Sequence, residues 1–304
     1  MSLREQKMLL QRQEEKTEMV LKNLSSLSLA LAIACGTLSG CSEYGGGAVT
    51  IPQVAFIPDA SNDGGDADGG GAVVSDAVGS IRGRVIMSGG APALPLLVSM
   101  GTDVKDAEVC AAVDVPDERL QLSSDGGVAN VFVYLGKKPP GGRPLEASGE
   151  TMFFDQKNCR FFPHTMIVPV DQTVKVLSSD SVAHNTHTYP SKNNSVNSGV
   201  APNDREGKLE ILYSKAESVP LAVKCDYHAW MNAWHLPLDH PFGAVTNENG
   251  EFSISDLPVG KHSFIVWHEA AKGNFVERKL EVEVREGETT DLTIDYPVAS
   301  LQEL

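Results

Sequence analysis

The segment Cys225-Asp226-Tyr227-His228-Ala229-Trp230-Met231 sets a thiol, an imidazole and a thioether at the spacing Cys-x2-His-x2-Met, and His184-Asn185 stands upstream of it. One thiolate, two imidazoles and a thioether are a ligand set for a single copper ion. The soft sulfurs hold Cu(I), imidazole suits both oxidation states, and a weak axial thioether tunes the potential. Zinc fits this set less well, since structural zinc takes four Cys or His ligands. Taken singly, a buried Cys is a small hydrophobe and a lone His a hydrogen-bonded structural residue. Their order, with one His ahead and Cys, His and Met together on one loop, points to a metal.

Such a loop needs a strand to carry it. Leu221, Val223 and Cys225 alternate with Ala222 and Lys224, which puts the thiol on the inward face of a strand, with His228 and Met231 on the turn beyond. The first imidazole must come from a neighbouring strand, after Val174, Val176 and the turn Ser178-Ser179-Asp180. His187 is the alternative to His184, although three residues further along a regular strand it faces the other way. His164, in Phe162-Pro163-His164, reads as structural, with a role near the metal left open.

This pattern resembles the cupredoxins, in which a His-Asn on one strand joins a Cys-x2-His-x2-Met loop, the spacing of the amicyanin subgroup. The resemblance runs from about Cys159 to Ala244. It implies one type 1 copper ion with Cys225, His184 and His228 equatorial and Met231 axial, in a protein that carries electrons. No nucleophile, base and orienting group stand together and no second copper constellation is evident, so the chain is expected not to be an enzyme. Of Trp230, Trp234 and Trp267, the first two stand at the loop, where aromatics could shield an ion and give an electron-transfer contact; packing at a domain junction is the favoured reading. His235, His240 and His268 are scattered, and Trp267-His268-Glu269 reads as an exposed polar pair.

From Ile81 onward the chain is short apolar runs broken by Gly, Pro, Asp and Asn, without an amphipathic helix. Val128 to Leu135 reads as one buried strand, and Thr165 to Val168 and Thr173 to Leu177 as a hairpin around Pro169-Val170-Asp171-Gln172. Leu280, Val282 and Val284, then Leu292 and Ile294, alternate with charged or polar residues as half-buried strands do. The stretch from Ala244-Val245-Thr246 through Asn249-Gly250-Glu251-Phe252 to Leu257-Pro258-Val259-Gly260 resembles the carboxypeptidase regulatory-like, transthyretin-type sandwich, and Ile81 to Pro92 fits its opening strand loosely. The expected fold is all-β, a cupredoxin-like Greek-key barrel joined to or inserted in a transthyretin-like β-sandwich. Its expected segments are a leader (1–40), an acidic Gly-rich tether (41–79), opening strands (80–140), the copper segment (141–243) and closing sandwich strands (244–304), with the first strand pairing with the last.

Leu24 to Gly40 is a small-and-apolar run, short for a membrane span, that ends in Leu38-Ser39-Gly40-Cys41. It resembles a bacterial lipoprotein signal with Cys41 as the lipidated residue; Met19, with Lys22, makes a more ordinary positively charged start than Met1. Ser42 in place of Asp favours a periplasm-facing outer-membrane anchor over inner-membrane retention. An uncleaved anchor or secretory signal is the alternative, and each version exports the chain. Of five cysteines, Cys35 leaves with the signal, Cys41 carries lipid and Cys225 goes to metal. Cys110 and Cys159 remain, expected as a disulfide in an oxidising compartment, or else as two buried thiols. The formal charge of −15 argues against nucleic acid or an anionic lipid surface as a partner, leaving the membrane to the lipid anchor. It suits either solubility or steering towards a basic redox protein in the periplasm. Two other functions stay open: a metal-free adhesion or carbohydrate-binding sandwich, and Cu(I) storage or delivery.

Overall fold

The computed structural model describes residues 77–90, 92–145 and 149–303, all within the compact unit Gly69–Leu304. The leader, Cys35, Cys41 and the tether up to residue 76 lie outside the described residues.

The regular structure of the described chain is almost wholly β-strand, arranged as two sandwiches. In the first, β1 (Val78–Ser88) lies between β13 (Glu251–Pro258), antiparallel to it, and β16 (Thr289–Pro297), parallel to it. β1 begins within the end of the segment read as tether, and the first and last strands share a sheet. The facing sheet runs β12 (Gly243–Val245), β2 (Phe132–Leu135), β14 (Gly260–Trp267) and β15 (Phe275–Val284). Ile81, Val85, Phe264, Val282 and Ile294 fill the space between the sheets. The chain leaves this sandwich at the end of β2 and returns in β12, which pairs directly with β2 at Gly243↔Tyr134. Everything between is an inserted second sandwich. Gly250, at φ 77, turns the chain into β13; a Cβ there would stand 2.5 Å from the Val85 carbonyl oxygen, so only glycine fits.

One sheet of the inserted sandwich runs β5 (Thr165–Pro169), β11 (Asn232–Leu238), β10 (Leu221–Lys224), β7 (His184–Tyr189) and β8 (Asn197–Val200). The other runs β4 (Arg160–Phe162), β3 (Met152–Lys157), β6 (Thr173–Val176) and β9 (Leu209–Leu212). Phe154, Phe161, Val174, Ile211 and Val223 are fully buried between them. Each such side chain stabilises the fold by about 1.5–3 kcal/mol. Phe132, Tyr134, Leu236, Leu238 and Trp267 form a further cluster where the two sandwiches meet, and Tyr134 donates its hydroxyl to the Ser218 carbonyl at 3.0 Å. The one α-helix among the described residues, α1 (Ala107–Cys110), packs on the inserted sandwich through the buried Cys110.

Three sequence expectations are corrected. β5 and β6 do not pair. The Asp171 turn (φ 60) carries the chain from one sheet to the other, with the Val170 amide bonded to Leu238 and the Asp171 amide to Tyr213. Alternation identifies two strands and a turn equally in a hairpin and in an arch. Second, the strand ending at Leu135 begins only at Phe132, because Asn130 takes φ 64 and breaks the run. Third, His268 and Glu269 are buried, not exposed, since His164 of the inserted sandwich bonds the Glu269 carboxylate.

Candidate metal centre

β10 and β11 are antiparallel neighbours with Lys224 opposite Asn232, so Cys225 to Met231 is the loop that joins them. Two backbone bonds close it: the Cys225 amide to the Met231 carbonyl at 3.2 Å, and the Met231 amide to the His228 carbonyl at 2.9 Å. On its other side β10 pairs with β7, Lys224 opposite His187, which carries His184 alongside the loop. Asn185 fastens the two. Its Oδ1 accepts the Asp226 amide at 2.6 Å and its Nδ2 donates to the Asp226 carboxylate at 2.9 Å.

The result is a convergence of donor atoms. His184 Nδ1 and His228 Nδ1 lie 3.0 Å apart, and Cys225 Sγ lies 3.8 Å from His228 Nδ1. All three side chains are buried. Met231 is buried in the same core cluster as Cys225. His187 is not brought in: it sits on the outer face, its Nδ1 3.1 Å from Asp226 Oδ2 and 2.9 Å from the Tyr189 hydroxyl. His164 is not brought in either, being held by Glu269 with Glu118 3.9 Å from its Nδ1.

Two carboxylates orient the imidazoles. His184 Nε2 donates to Asp180 Oδ2 at 2.8 Å, and His228 Nε2 donates to Asp106 Oδ2 at 2.9 Å. With both Nε2 protons turned outward, both Nδ1 atoms face the shared cavity, and at 3.0 Å two bare lone pairs repel. A proton or a cation has to stand between them. Metal-bound imidazoles are held this way, by a carboxylate behind the ring. Asp106 precedes α1 yet makes no cap bond with its side chain, which goes to His228 instead. Asp180 is itself fixed: Oδ1 accepts the Asn158 amide at 2.6 Å and Oδ2 the Cys159 amide at 2.9 Å. Those amides point at it because Asn158 and Cys159 both take φ 52, in the two-residue turn between β3 and β4.

The charges follow this geometry. Burial disfavours charge on His184, but the Asp180 bond and the neighbouring Cys225 outweigh it and lift its pKa to about 9. Burial likewise opposes a Cys225 thiolate, yet the bonds from His184 and His228 bring the thiol down to about 6. Without metal the centre is therefore a thiolate–imidazolium pair at neutral pH, with one proton in the place of a cation. The donor set fits copper: one thiolate and two imidazoles preorganised around one point, with a thioether in the same core.

Around it, Trp230 packs on the His228 ring with centroids 5.3 Å apart and donates Nε1 to the Cys159 carbonyl. Cys110 and Cys159 are joined in a disulfide directly behind the centre. Sequence reasoning passed over Asp106 and Asp180. Asp180 had a signal, standing four residues before His184 in the turn already noted; Asp106, 122 residues from His228, had none.

No protein-family model matches the chain, and no curated protein matches it. Partial likenesses to solved structures exist. A Cu-containing nitrite reductase from Thermus scotoductus is 13% identical with a TM-score of 0.26, over 32% of this chain and 25% of that one. A purple cupredoxin from Nitrosopumilus maritimus is 20% identical with a TM-score of 0.23, over 29% of this chain and 97% of that one. Amicyanin from Paracoccus versutus is 10% identical with a TM-score of 0.25, over 34% of this chain and 96% of that one. The chain thus spans a quarter of the nitrite reductase.

Proposed function

We propose that this chain is a one-electron carrier built around a single type 1 copper ion that Cys225, His184 and His228 would hold, with the Met231 thioether as a further donor. The observation that carries the reading is the pair of outward-donating Nε2 atoms, which aims two Nδ1 lone pairs and a thiolate at one buried point. Bound there, copper would supply a Cu(II)/Cu(I) couple. The chain's own residues do the rest. Asp106 and Asp180 fix the imidazoles, and the closed Cys225–Met231 loop between paired strands keeps the donors in place for both oxidation states. Burial of the donors excludes water. The half-buried Trp230, packed on His228, offers an edge through which an electron can leave.

In this reading the partner is a redox protein, and the formal charge of −15 steers a basic one towards the chain. A lipid on Cys41 tethers it to the periplasm-facing outer membrane, and no catalytic reaction is assigned to it. The visible spectrum tests the core of the proposal. The full chain carrying Cys35→Ser and Cys41→Ser, incubated with Cu(II), is expected to show intense thiolate-to-copper charge-transfer absorption. Cys225→Ser should abolish it and His228→Ala weaken it. A colourless, normally folded protein would reject the reading and leave the metal-free adhesion or carbohydrate-binding sandwich.

A further inference from the structure

The disulfide behind the centre is more than a staple. A ring nitrogen of His228 and the sulfurs of Cys110 and Cys159 all lie within 4.8 Å of one another, and all three residues are buried. The Cys159 sulfur is within the same distance of Asp180 and of a His184 ring nitrogen. Three buried sulfurs and two imidazoles therefore crowd one small volume, of which the copper centre proposed above uses only one sulfur. The disulfide also links the two anchors of that centre. Cys110 ends the helix that starts after Asp106, the partner of His228. Cys159 gives its amide to Asp180, the partner of His184.

We propose that reduction of Cys110–Cys159 opens a second, sulfur-rich metal site, formed by those two thiolates and His228, that takes Cu(I). The disulfide accepts two electrons and two protons from a dithiol, whose own sulfurs close into a disulfide, by exchange through a mixed disulfide. Cu(I) then displaces the two thiol protons to water. Two thiolates and an imidazole are a soft set that selects Cu(I) over hard divalent ions. Reduction also separates the segment bearing Asp106 from the turn that holds Asp180, so the sulfurs gain freedom to turn towards the ring. The oxidised chain would then favour electron transfer, and the reduced chain would gain a capacity to hold Cu(I). This site borrows His228 from the centre proposed above, so the two cannot be filled through that ring at once, but it does not use Cys225 and can be tested with that thiol removed.

The test is made on the full chain with Cys35→Ser, Cys41→Ser and Cys225→Ser, which leaves Cys110 and Cys159 as its only cysteines. Cu(I) binding is measured by competition with a chromophoric Cu(I) chelator, before and after treatment with dithiothreitol. Thiols are counted by alkylation and mass spectrometry, and the fold is followed by circular dichroism. The expected result is one Cu(I) per reduced chain, bound at least 100-fold more tightly than by the oxidised chain. X-ray absorption should show two sulfur neighbours and one nitrogen, with the gain lost on adding Cys110→Ser. Unchanged affinity with both thiols free overturns the proposal, as does a disulfide that yields only when the protein unfolds. A chain with Cys225 intact that stays colourless with Cu(II) while the reduced variant gains its Cu(I) would reject the electron-transfer reading alone.

Discussion

Replacing Asp106 by Asn isolates what the carboxylate behind His228 contributes. Asp106 sits at φ 55, a conformation Asn adopts readily, so the backbone need not respond. Its amide oxygen can still accept from His228 Nε2, as Asp106 does at 2.9 Å. Only the charge is lost. A hydrogen bond to a charged group contributes about 1.5–3 kcal/mol and a neutral one about 1 kcal/mol, so the change costs about 0.5–2 kcal/mol. Because the carboxylate is 32% exposed, solvent screening favours the lower half of that range. In binding, this is roughly a 2- to 8-fold loss of copper affinity, smaller than the loss seen when a carboxylate behind a metal-bound histidine is removed outright. Competition with a chromophoric Cu(I) chelator reads the affinity, and urea unfolding of the metal-free protein, which makes the same bond, reads the share that falls on folding, at most about 1 kcal/mol. Asp106→Ala, which removes the acceptor altogether, should weaken binding further. Affinities of both variants within twofold of the parent would refute the claim that Asp106 holds the ring for a metal.

Between about pH 6 and 9 Cys225 is a thiolate while His184 keeps a proton that an incoming ion must displace. Log affinity should therefore rise about one unit per pH unit in that window, rise more steeply below it, where Cys225 is protonated as well, and level off above it; a flat chelator-competition profile across the window contradicts the protonation scheme. At the junction of the sandwiches, burial opposes charge on both His164 and Glu269, but their mutual bond raises the first and lowers the second. Stability from this pair should be complete between the ordinary values of 4.5 and 6.5, fall as pH rises through His164's raised pKa, and fall as pH drops through Glu269's lowered one. Glu269→Gln should cost about 3 kcal/mol near pH 6 and flatten the alkaline decline, and urea midpoints that keep the parent's pH profile would count against it. Gly250→Ala forces a Cβ to within 2.5 Å of the Val85 carbonyl and 2.7 Å of the Val128 amide at φ 77. It should lower stability by about 2–3 kcal/mol with copper affinity unchanged; a neutral effect would mean that this turn can move.

What could be read from the sequence was what is local. Cys225, His228 and Met231 share one loop, and the alternation of Leu221, Val223 and Cys225 places the thiol inward with no knowledge of the rest of the chain; the structure buries all three of these alternating residues. The all-β class follows from the same short-range periodicity. Pairing partners do not. β5 and β6 were read as a hairpin because nothing in residues 165–177 says whether the turn at Asp171 returns to the same sheet or crosses to the other. The polar pair His268-Glu269 read as exposed for a similar reason, since its partner His164 lies 105 residues before Glu269.

The same limit decides which parts of the centre were visible. Chemistry at a metal is carried by few residue types, so ligands advertise themselves; the groups that aim them are common carboxylates. Asp180 could be suspected from its place four residues before His184, but Asp106 looks like any helix-opening Asp until the fold lays α1 against His228. Cys110 and Cys159 fall between these cases. Cysteine counting suggests that they pair, and chain entropy alone values a cross-link of separation 49 at about 4 kcal/mol. That stabilisation requires only that the loop be closed, and it would be much the same for a disulfide elsewhere on the barrel. It gives no reason for the sulfurs to lie against His228, or for one to follow Asp106 and the other to hold Asp180. Position, rather than loop length, is what would couple this bond to the proposed metal centre. Moving the cross-link to another pair of sites should therefore keep the stability and lose the coupling.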